Sequence, residues 1–401
     1  MSRWIRYLLA AVVVVLVGIA LGRELLSLIR EHTRREVTLG SFNVQTLFDG
    51  DYDGGEFDEF NPYASSWNDH AYRARLQDLA GVIRSLTPAG PPELLALQEL
   101  EGADVLADLA AALGEGRYPY RACAPGPAVM PVCIASVYPF VELRTHALRA
   151  EAPAAAHAAA GAPVLPAESP PALRSMLEAQ VKTPAGRLRV LVGHWKSARE
   201  GRDETRYLRG IAALSVRRRI AGLRAEGSAE TIVLAGDLNT EITGAGPAPD
   251  SRWAKGIVGR QPLGSGDRAI LPVRLDRLAP GGGARTGGAR PGEDRAGGGA
   301  REGGDAGFSL YSPWGRLQGG SYVFRGRALA IDHILVTEGR DGPVFAGARL
   351  VRDWADERGA PRPYRSFSRS GVSDHFALVA RFRRAEGLPD AGSLQGRGHL
   401  P

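Results

Sequence analysis

Carboxylate, amide and imidazole side chains follow or interrupt three apolar, strand-like runs of this chain. The most informative run, residues 232–236, ends in Gly-Asp-x-Asn and delivers Asp237 and Asn239 to one place on a rigid edge. A hydrolytic site needs such a placement, whereas a packed core does not. The other two runs add a similar inventory. The side chains concerned are His194, Asp237, Asn239, Asp332, Asp374 and His375.

Two earlier strand-like runs carry further oxygen donors, Asn43 within residues 37–44 and Glu99 after residues 94–97. Carboxylates and amides suit a hard cation, so we expect Mg²⁺ first and Mn²⁺ or Ca²⁺ as alternatives. Zinc is disfavoured, because the chain has only two cysteines and lacks His-rich spacing. The two histidines suit general acid–base work on a charged transition state. Neither a Gly-x-Ser-x-Gly elbow nor a Walker loop is present, which disfavours acyl transfer and nucleotide-driven motors.

Short strands mixed with amphipathic helices must position these groups. Apolar residues recur at helical spacing after Asn68 and Asp69, either of which can cap the helix. Strands outnumber helices and hairpins alternate with helical crossovers, which predicts two packed sheets covered by helices. The other predicted elements are strands over 37–44 and 94–97, a helix over 102–113, a hairpin over 176–192 and a helix over 204–225.

Composition divides the 401 residues into one large globular body and several segments of a different kind. The Gly/Arg-rich stretch at about 279–307 cannot bury enough apolar surface to order itself. We therefore expect a disordered insertion there, with an Arg-Gly nucleic-acid-binding segment as the alternative. An Ala/Pro-rich stretch at 150–172 predicts a flexible loop. The expected divisions are a targeting segment with a short linker (1–36), a catalytic domain (37–385) with the insertion at about 279–307, and a polar tail (386–401).

The N-terminal segment has the pattern of a targeting sequence. Arg3 and Arg6 precede an uncharged apolar run, residues 7–22, which suits either a cleaved signal peptide or an uncleaved membrane anchor. Both alternatives place the bulk of the protein outside the cytoplasm, anchored to or secreted from a bacterial envelope. Half of the formal charge of +6 arises in residues 1–36, so the basic balance by itself is weak support for nucleic-acid binding.

Two cysteines lie on either side of a predicted turn. Cys123 and Cys133 flank Pro125-Gly126-Pro127, and strand-like residues stand on both sides. A hairpin would place the two side chains across from each other, and an oxidising compartment would let them bond. A disulfide and two free buried thiols both remain open at this point.

Taken together and in this order, the motifs resemble those of the endonuclease/exonuclease/phosphatase superfamily over about residues 37–382. The resemblance implies an α/β fold, a four-layer α/β sandwich in which two packed, mostly antiparallel mixed sheets are flanked by helices. It also implies hydrolysis of phosphodiesters or phosphomonoesters with a divalent metal and an activated water. The strand over 128–139 departs from the family pattern, because Pro131 and Val137 replace a polar Asp and Arg there.

The resemblance implies a role for each matching residue. The metal would be held by Glu99 with Asn43 and Asp374. His194 and Asn239 would bind phosphate oxygens, and Asp237 would orient or deprotonate the attacking water. His375 would face the phosphate, with Asp332 holding its imidazole in the productive tautomer. We expect the remaining polar and aromatic residues near these motifs to pack instead; they are Trp195, Tyr322 and His333.

The hypothesis from sequence is therefore an exported or membrane-anchored Mg²⁺-dependent phosphoesterase, a nuclease with nucleic acid as substrate. A monomer is expected, and the N-terminal segment would contact the membrane if it is not cleaved. One alternative keeps the chemistry but changes the substrate to a phospholipid or a sugar phosphate. The other is a catalytically inactive binding module at the cell surface, which the intact set of acids, amides and histidines disfavours.

Overall fold

The computed structural model describes residues 36–126, 130–148, 173–242, 271–273 and 310–385, together with residues 4 and 12. The predicted targeting segment, the Ala/Pro-rich loop at 150–172, the insertion at about 279–307 and the tail from 386 lie outside the described residues, apart from residues 4, 12 and 36. Within the described parts of the chain, no helix is both long and apolar enough to span a bilayer.

Two large sheets form the body of the protein, and each has one parallel pair among antiparallel neighbours. The first has the order β14-β15-β1-β2-β4-β3 and the second the order β5-β6-β7-β8-β13-β10-β9, while β11 and β12 form a separate hairpin. The strands are β1 (Glu36–Leu47), β2 (Leu94–Leu100), β3 (Tyr120–Cys123), β4 (Cys133–Ser136), β5 (Phe140–His146), β6 (Met176–Thr183), β7 (Gly186–His194), β8 (Thr231–Asp237), β9 (Leu271–Val273), β10 (Leu310–Ser312), β11 (Tyr322–Phe324), β12 (Arg327–Leu329), β13 (Asp332–Thr337), β14 (Val344–Val351) and β15 (Ala377–Arg383).

Parallel neighbours need a long crossover, and the two long helices supply it. Helix α1 (Asp69–Ser85) connects β1 to β2, and α3 (Arg206–Ala225) connects β7 to β8. A third helix, α2 (Ala103–Leu113), follows β2, and two short 3₁₀ turns lie at 58–60 and 313–315. The Asn68 side chain caps α1 by accepting the Ala71 N–H at 3.0 Å, as the sequence predicted.

Three apolar layers separate the helices and sheets, so the predicted four-layer sandwich is confirmed. Alternation along each strand sends neighbouring side chains to opposite faces. Phe42 of β1 therefore packs against α1 and α2, whereas Leu39 packs between the two sheets. On the far side, Leu234 of β8 packs against α3. Each such side chain is fully buried, which contributes about 1.5–3 kcal/mol apiece relative to exposure.

The β3–β4 hairpin carries a disulfide between Cys123 and Cys133, whose Cα atoms are 4.0 Å apart. This resolves the two alternatives that the sequence left open in favour of the bonded form. The extracytoplasmic location expected from the sequence stays a prediction.

A buried ionic network holds the second sheet to α3. Glu178 of β6 is fully buried and accepts hydrogen bonds from Arg219 of α3 at 2.7 and 2.8 Å, and from Arg189 of β7. Its Oε2 also lies 2.6 Å from His146 Nε2. Burial alone would raise the pKa of Glu178, but the hydrogen bonds from Arg219, His146 and Arg189 outweigh it and hold that pKa well below its usual range.

Candidate active site

Three neighbouring strands of the second sheet bring three of the predicted residues into one row. His194 at the end of β7 is in register with Asp237 at the end of β8, and Asp237 is in register with Asp332 at the start of β13. Because β13 runs antiparallel to β8, its first residue lies at the same edge as the last residue of β8. A Cβ at Gly236 would collide with the Gly193 carbonyl oxygen, so the β7–β8 pairing beneath this row requires glycine there.

The first sheet supplies an amide and a carboxylate to the same edge. Asn43 of β1 donates through Nδ2 to Glu99 Oε1 at 3.0 Å and to Asp237 Oδ2 at 3.2 Å, so it ties a carboxylate from each sheet together. Its own Oδ1 accepts the Gln45 N–H at 3.0 Å, which fixes the orientation of the amide. The Thr46 N–H donates to the other oxygen of Glu99 at 3.0 Å. Asn43 thus positions the carboxylates in this structure, and its role as a metal ligand stays a prediction.

Backbone strain is concentrated at this edge. Of the six non-glycine residues with positive φ in the described part of the chain, four lie here: Gln45, Thr46, Glu99 and Asn239. Such conformations cost of order 1–3 kcal/mol each and persist where the surrounding structure enforces them, commonly at functional sites. The strand predicted over 37–44 extends as β1 to Leu47, and its pairing with β2 shifts register between Asn43 and Leu47.

His375 and Asp332 form a buried hydrogen-bonded pair. His375 Nδ1 lies 2.7 Å from Asp332 Oδ2, which is the arrangement the sequence predicted for holding the imidazole. The other ring nitrogen, Nε2, therefore faces the site, 3.8 Å from Asp374 Oδ1 and 3.9 Å from Asp237 Oδ2. On the second sheet, His194 Nε2 lies 3.6 Å from Asp237 Oδ2 and 3.7 Å from Glu99 Oε1.

The two histidines have opposite electrostatic environments. Burial alone would lower the pKa of His375, but the carboxylates of Asp332 and Asp374 outweigh it and raise that pKa well above its ordinary value. Burial lowers the pKa of His194 well below its ordinary value, and the positive charge of Arg174 acts in the same direction. The surroundings thus favour the protonated ring at His375 and the neutral ring at His194.

Two carboxyl groups at the site are harder to ionise than usual. Burial, followed by the charge of Asp332, raises the pKa of Asp237 to about 7. Burial is also the main reason why the pKa of Asp374 is raised, and the charge of Glu99 adds to it. Perturbed carboxyl groups of this kind are characteristic of catalytic and metal sites, since both need charge concentrated away from water.

The remaining predicted residues fall into two groups. Asn239 lies beside Asp237, and its backbone N–H donates to Asp237 Oδ1 at 2.9 Å. The side-chain amide of Asn239 donates to the Trp195 carbonyl at 3.1 Å. Its contact with phosphate stays a prediction. The expectation that His333 and Trp195 pack is confirmed, because both are buried and His333 Nε2 bonds the Thr240 carbonyl at 2.8 Å.

Sequence reasoning missed three residues that position the site. Gln45 Oε1 accepts the N–H groups of Asp374 at 3.0 Å and of Tyr364 at 2.8 Å. Ser373 Oγ donates to the Asn43 carbonyl at 2.7 Å, so the loop carrying His375 is tied to β1. Both residues stand within two positions of a predicted site residue, and that proximity was the available signal.

The third missed residue is Arg174, which lies two residues before the start of β6 and is half-buried. Burial lowers its pKa, while the charges of Glu99 and Asp237 act in the opposite direction, so the guanidinium lies within electrostatic range of the site carboxylates. No motif surrounded it in the sequence. Tyr322 packs against His375, as expected, with ring centroids 4.8 Å apart and the two ring planes tilted by 33°.

A family model decides the relationship of this chain to known proteins. The model of the Endonuclease/Exonuclease/phosphatase family matches residues 38–246, just over half of the chain. The protein belongs to this family. The match contains Asn43, Glu99, His194 and Asp237, and the fold brings His375, which lies beyond the match, to the same edge. As a member of the endonuclease/exonuclease/phosphatase family, the protein has a hydrolase fold suited to phosphoester bonds.

Solved structures with related folds are distant in sequence. Truncated TDP2 of Caenorhabditis elegans is 13% identical, with 87% of this chain and 97% of that one covered and a TM-score of 0.47. TDP2 of D. rerio, solved with a single-strand DNA product, is 13% identical, with 87% of this chain and 100% of that one covered and a TM-score of 0.47. An endonuclease/exonuclease/phosphatase protein from Bacteroides vulgatus is 16% identical, with 88% of this chain and 100% of that one covered and a TM-score of 0.47. No curated protein sequence matches the chain.

Proposed function

We propose that the protein is a Mg²⁺-dependent phosphodiesterase that cleaves nucleic acid outside the cytoplasm. The observation that carries this proposal is the convergence, from two sheets, of a buried Asp332–His375 pair with the carboxylates of Glu99, Asp237 and Asp374. An imidazolium, a neutral imidazole and several crowded carboxylates are what hydrolysis at phosphorus requires, since that reaction develops negative charge and consumes a water.

The donor set fits a hard divalent cation. Both cysteines of the chain are used in the Cys123–Cys133 disulfide, so thiolate ligation is excluded and carboxylate oxygens are the most numerous donors at the site. Ligand atoms of Asp237, Asp332 and His375 lie within 4.8 Å of one another. Because Asp332 and His375 are already hydrogen-bonded to each other, we assign the cation to the neighbouring carboxylates instead.

Glu99 and Asp374, with Asp237 close by, would hold the cation. Burial is the main cause of the raised pKa values of Asp237 and Asp374, and the negative charge of Glu99 raises both further. Three carboxyl groups are therefore crowded together with little access to water, and a bound cation would stabilise their ionised forms. Mg²⁺ coordinates few protein carboxylates and keeps several waters, which suits this set. When bound, the ion would supply Lewis acidity to the phosphate and neutralise the carboxylates.

The side chains have separate tasks in the proposed reaction. Asp237, whose pKa is about 7, can accept a proton from the attacking water near neutral pH. The imidazolium of His375 can donate a charge-assisted hydrogen bond to a phosphate oxygen, with Asp332 fixing its ring. Neutral His194 and the amide of Asn239 can donate to the remaining oxygens from the second sheet. The charge that develops on phosphorus oxygens is therefore met from several directions.

Basic side chains on three segments that contain or contact a site residue favour a polyanionic substrate. Arg199 and Arg202 follow His194, Arg325 lies in the β11–β12 hairpin that abuts His375, and Arg369 precedes Asp374. Arg199 reaches Asp374 Oδ2 at 3.9 Å, so this charge extends to the edge of the site. A backbone with a phosphate at every nucleotide would meet such a surface repeatedly, whereas a small phosphomonoester would not.

The extracytoplasmic location rests on two independent features. The N-terminal pattern of Arg3 and Arg6 before an apolar run is typical of an exported or anchored protein. The Cys123–Cys133 bond adds a requirement for oxidising conditions. Whether the segment is cleaved is readable from the N-terminal mass of protein recovered from cells.

A substrate panel tests the proposed function. Purified protein is incubated with plasmid, RNA, single-stranded DNA, sphingomyelin vesicles and p-nitrophenyl phosphate, with Mg²⁺ or with EDTA. Metal-dependent cleavage of nucleic acid is expected, and His375→Ala and Asp237→Ala should each lose several orders of magnitude in rate while remaining folded. Absence of nucleic-acid cleavage at every pH, or near-wild-type turnover by either variant, would overturn the assignment. Asp341→Asn, an exposed carboxylate near the start of β8, is the matched control.

A further inference from the structure

An exposed aromatic residue stands at the tip of the β11–β12 hairpin, beside the site. Phe324 pairs with Arg327 across a two-residue turn, Arg325-Gly326, in which both central residues have positive φ. That pattern is typical of the rigid type I′ hairpin turn. Phe324 is 50% exposed although it is large and apolar, and the Arg325 guanidinium lies 5.2 Å from the centre of its ring.

The base of this hairpin is fastened to both members of the Asp332–His375 pair. Ser321 Oγ accepts the Asp332 N–H at 3.1 Å, and the Ser321 carbonyl accepts the Phe376 N–H at 2.7 Å. Tyr322 forms a backbone bridge with His375 and stacks on its ring. These backbone, side-chain and ring contacts hold the hairpin in place relative to the His375 imidazole.

Strand alternation places Phe324 on the face of the hairpin that overlooks the site. Paired residues across an antiparallel bridge share a face, so the Tyr322 side chain lies on the same face as the ring of His375. Phe324 is two residues further along the same face, about 7 Å from Tyr322. Its partner Arg327 reaches Oε2 of Glu241, two residues after Asn239, at 3.0 Å, so this face lies beside the segment that follows β8.

We propose that Phe324 is a stacking platform for a nucleobase next to the scissile phosphate, and so reads the substrate class of this phosphodiesterase. The inference rests on the proposed function and adds a specificity-determining residue to it. A flat, solvent-exposed ring one strand-repeat from Tyr322 suits a base because every base offers a π-face, and Arg325 adds charge where the backbone continues. A headgroup without an aromatic ring would gain nothing from this face.

The test uses single-stranded oligonucleotides with one phosphodiester and phosphorothioates elsewhere, so that only one position is readily cleaved. Companion substrates carry an abasic residue on the 5′ or the 3′ side of that phosphodiester. Phe324→Ala is expected to lower kcat/KM about ten- to hundredfold on the base-carrying oligonucleotide, mainly through KM. The same substitution should cost far less on one abasic companion, and Phe324→Trp should restore cleavage of the base-carrying one.

Controls separate this inference from the proposed function. Tyr120→Ala removes another exposed aromatic, one in register through Ser136 with Leu94, at the opposite end of the sheet from Glu99, and should match wild type. The stacking role is overturned if Phe324→Ala cleaves as fast as wild type, or if Phe324→Ala loses the same factor in rate on all three oligonucleotides. In both cases the proposed nuclease activity still stands. If wild type cleaves sphingomyelin vesicles and no oligonucleotide, both fall. Anisotropy of a fully phosphorothioate oligonucleotide, which Phe324→Ala should bind more weakly, gives the second readout.

Discussion

Replacing Asp332 by Asn tests the central claim about the site, that His375 works as a fixed imidazolium. The Asp332 carboxylate is almost fully buried, and its Oδ2 lies 2.7 Å from His375 Nδ1. An asparagine has nearly the same shape and can still accept the Nδ1–H bond through its oxygen. The substitution therefore removes a negative charge with little change in packing, which isolates electrostatics from geometry.

The expected loss follows from what the charge does. Asp332 is the largest influence that raises the pKa of His375 against the cost of burial, so without it the ring gives up its proton more readily. An acid–base group typically contributes about 10²–10⁴-fold in rate. We expect kcat at neutral pH to fall within that range, equivalent to about 3–5 kcal/mol.

The pH profile adds a sign that packing damage would not produce. In the wild type the pKa of His375 is raised, so its proton, and the activity that needs it, persist to higher pH. In Asp332→Asn that pKa falls, and the alkaline limb of kcat/KM should move to lower pH. Initial rates on a nucleic-acid substrate across neutral and alkaline pH measure this, with circular dichroism and Tm to show that the variant is folded.

Two outcomes would refute the reasoning. A folded Asp332→Asn with kcat within about threefold of wild type would show that the charge is not needed, because the expected loss is at least 10²-fold. An alkaline limb that stays in place while kcat falls would show that the loss has another cause. Asp341→Asn, the exposed carboxylate at the far end of the second sheet, should change neither quantity.

Asn43→Ala should weaken Mg²⁺ binding about 10–100-fold by calorimetry, because the two carboxylates that Asn43 ties together lose their shared donor; unchanged affinity would contradict that role. Glu178→Gln should lower the free energy of unfolding in urea by about 3–5 kcal/mol at neutral pH. Since the pKa of Glu178 is lowered by folding, this stabilisation is present above its unfolded pKa and should disappear as pH falls, so an equal deficit in acid would argue against the network. Gly236→Ala should abolish activity and lower Tm, whereas Gly222→Ala within α3, with open space around it, should raise Tm slightly; equal effects would remove the steric argument.

Periodicity and strand-end chemistry were enough to predict the layers of the fold and most of the site. Asn43, Glu99 and His194 each lie in the last part of a strand whose apolar pattern fixes which face is buried, so their positions at one edge were readable from local sequence. The Asp332–His375 pair was predicted from family resemblance and is confirmed by the 2.7 Å contact. The positions of Asn43, Glu99 and His194 share a cause, because parallel pairs joined by helices put their carboxyl ends at the same edge.

Contacts between segments distant in sequence could not be predicted. Gln45 bonds Asp374 across 329 positions, and Ser373 bonds Asn43 across 330. Neither residue type is unusual at such places, and the pairing depends on how the two sheets close against each other. The opposite environments of His194 and His375 likewise follow from burial and from neighbours such as Arg174, which no local pattern marks.

The strand order of the first sheet ties activity to the completion of synthesis. The late strand β15 (Ala377–Arg383) lies between β14 and β1, inside the sheet rather than at its edge. His375 stands two residues before it, and Ser373 secures that loop to β1. A nascent chain that has reached only the second sheet therefore has an open first sheet and lacks His375. The proposed site is incomplete until the last strand of the first sheet has been made, so the topology delays its assembly to the end of synthesis.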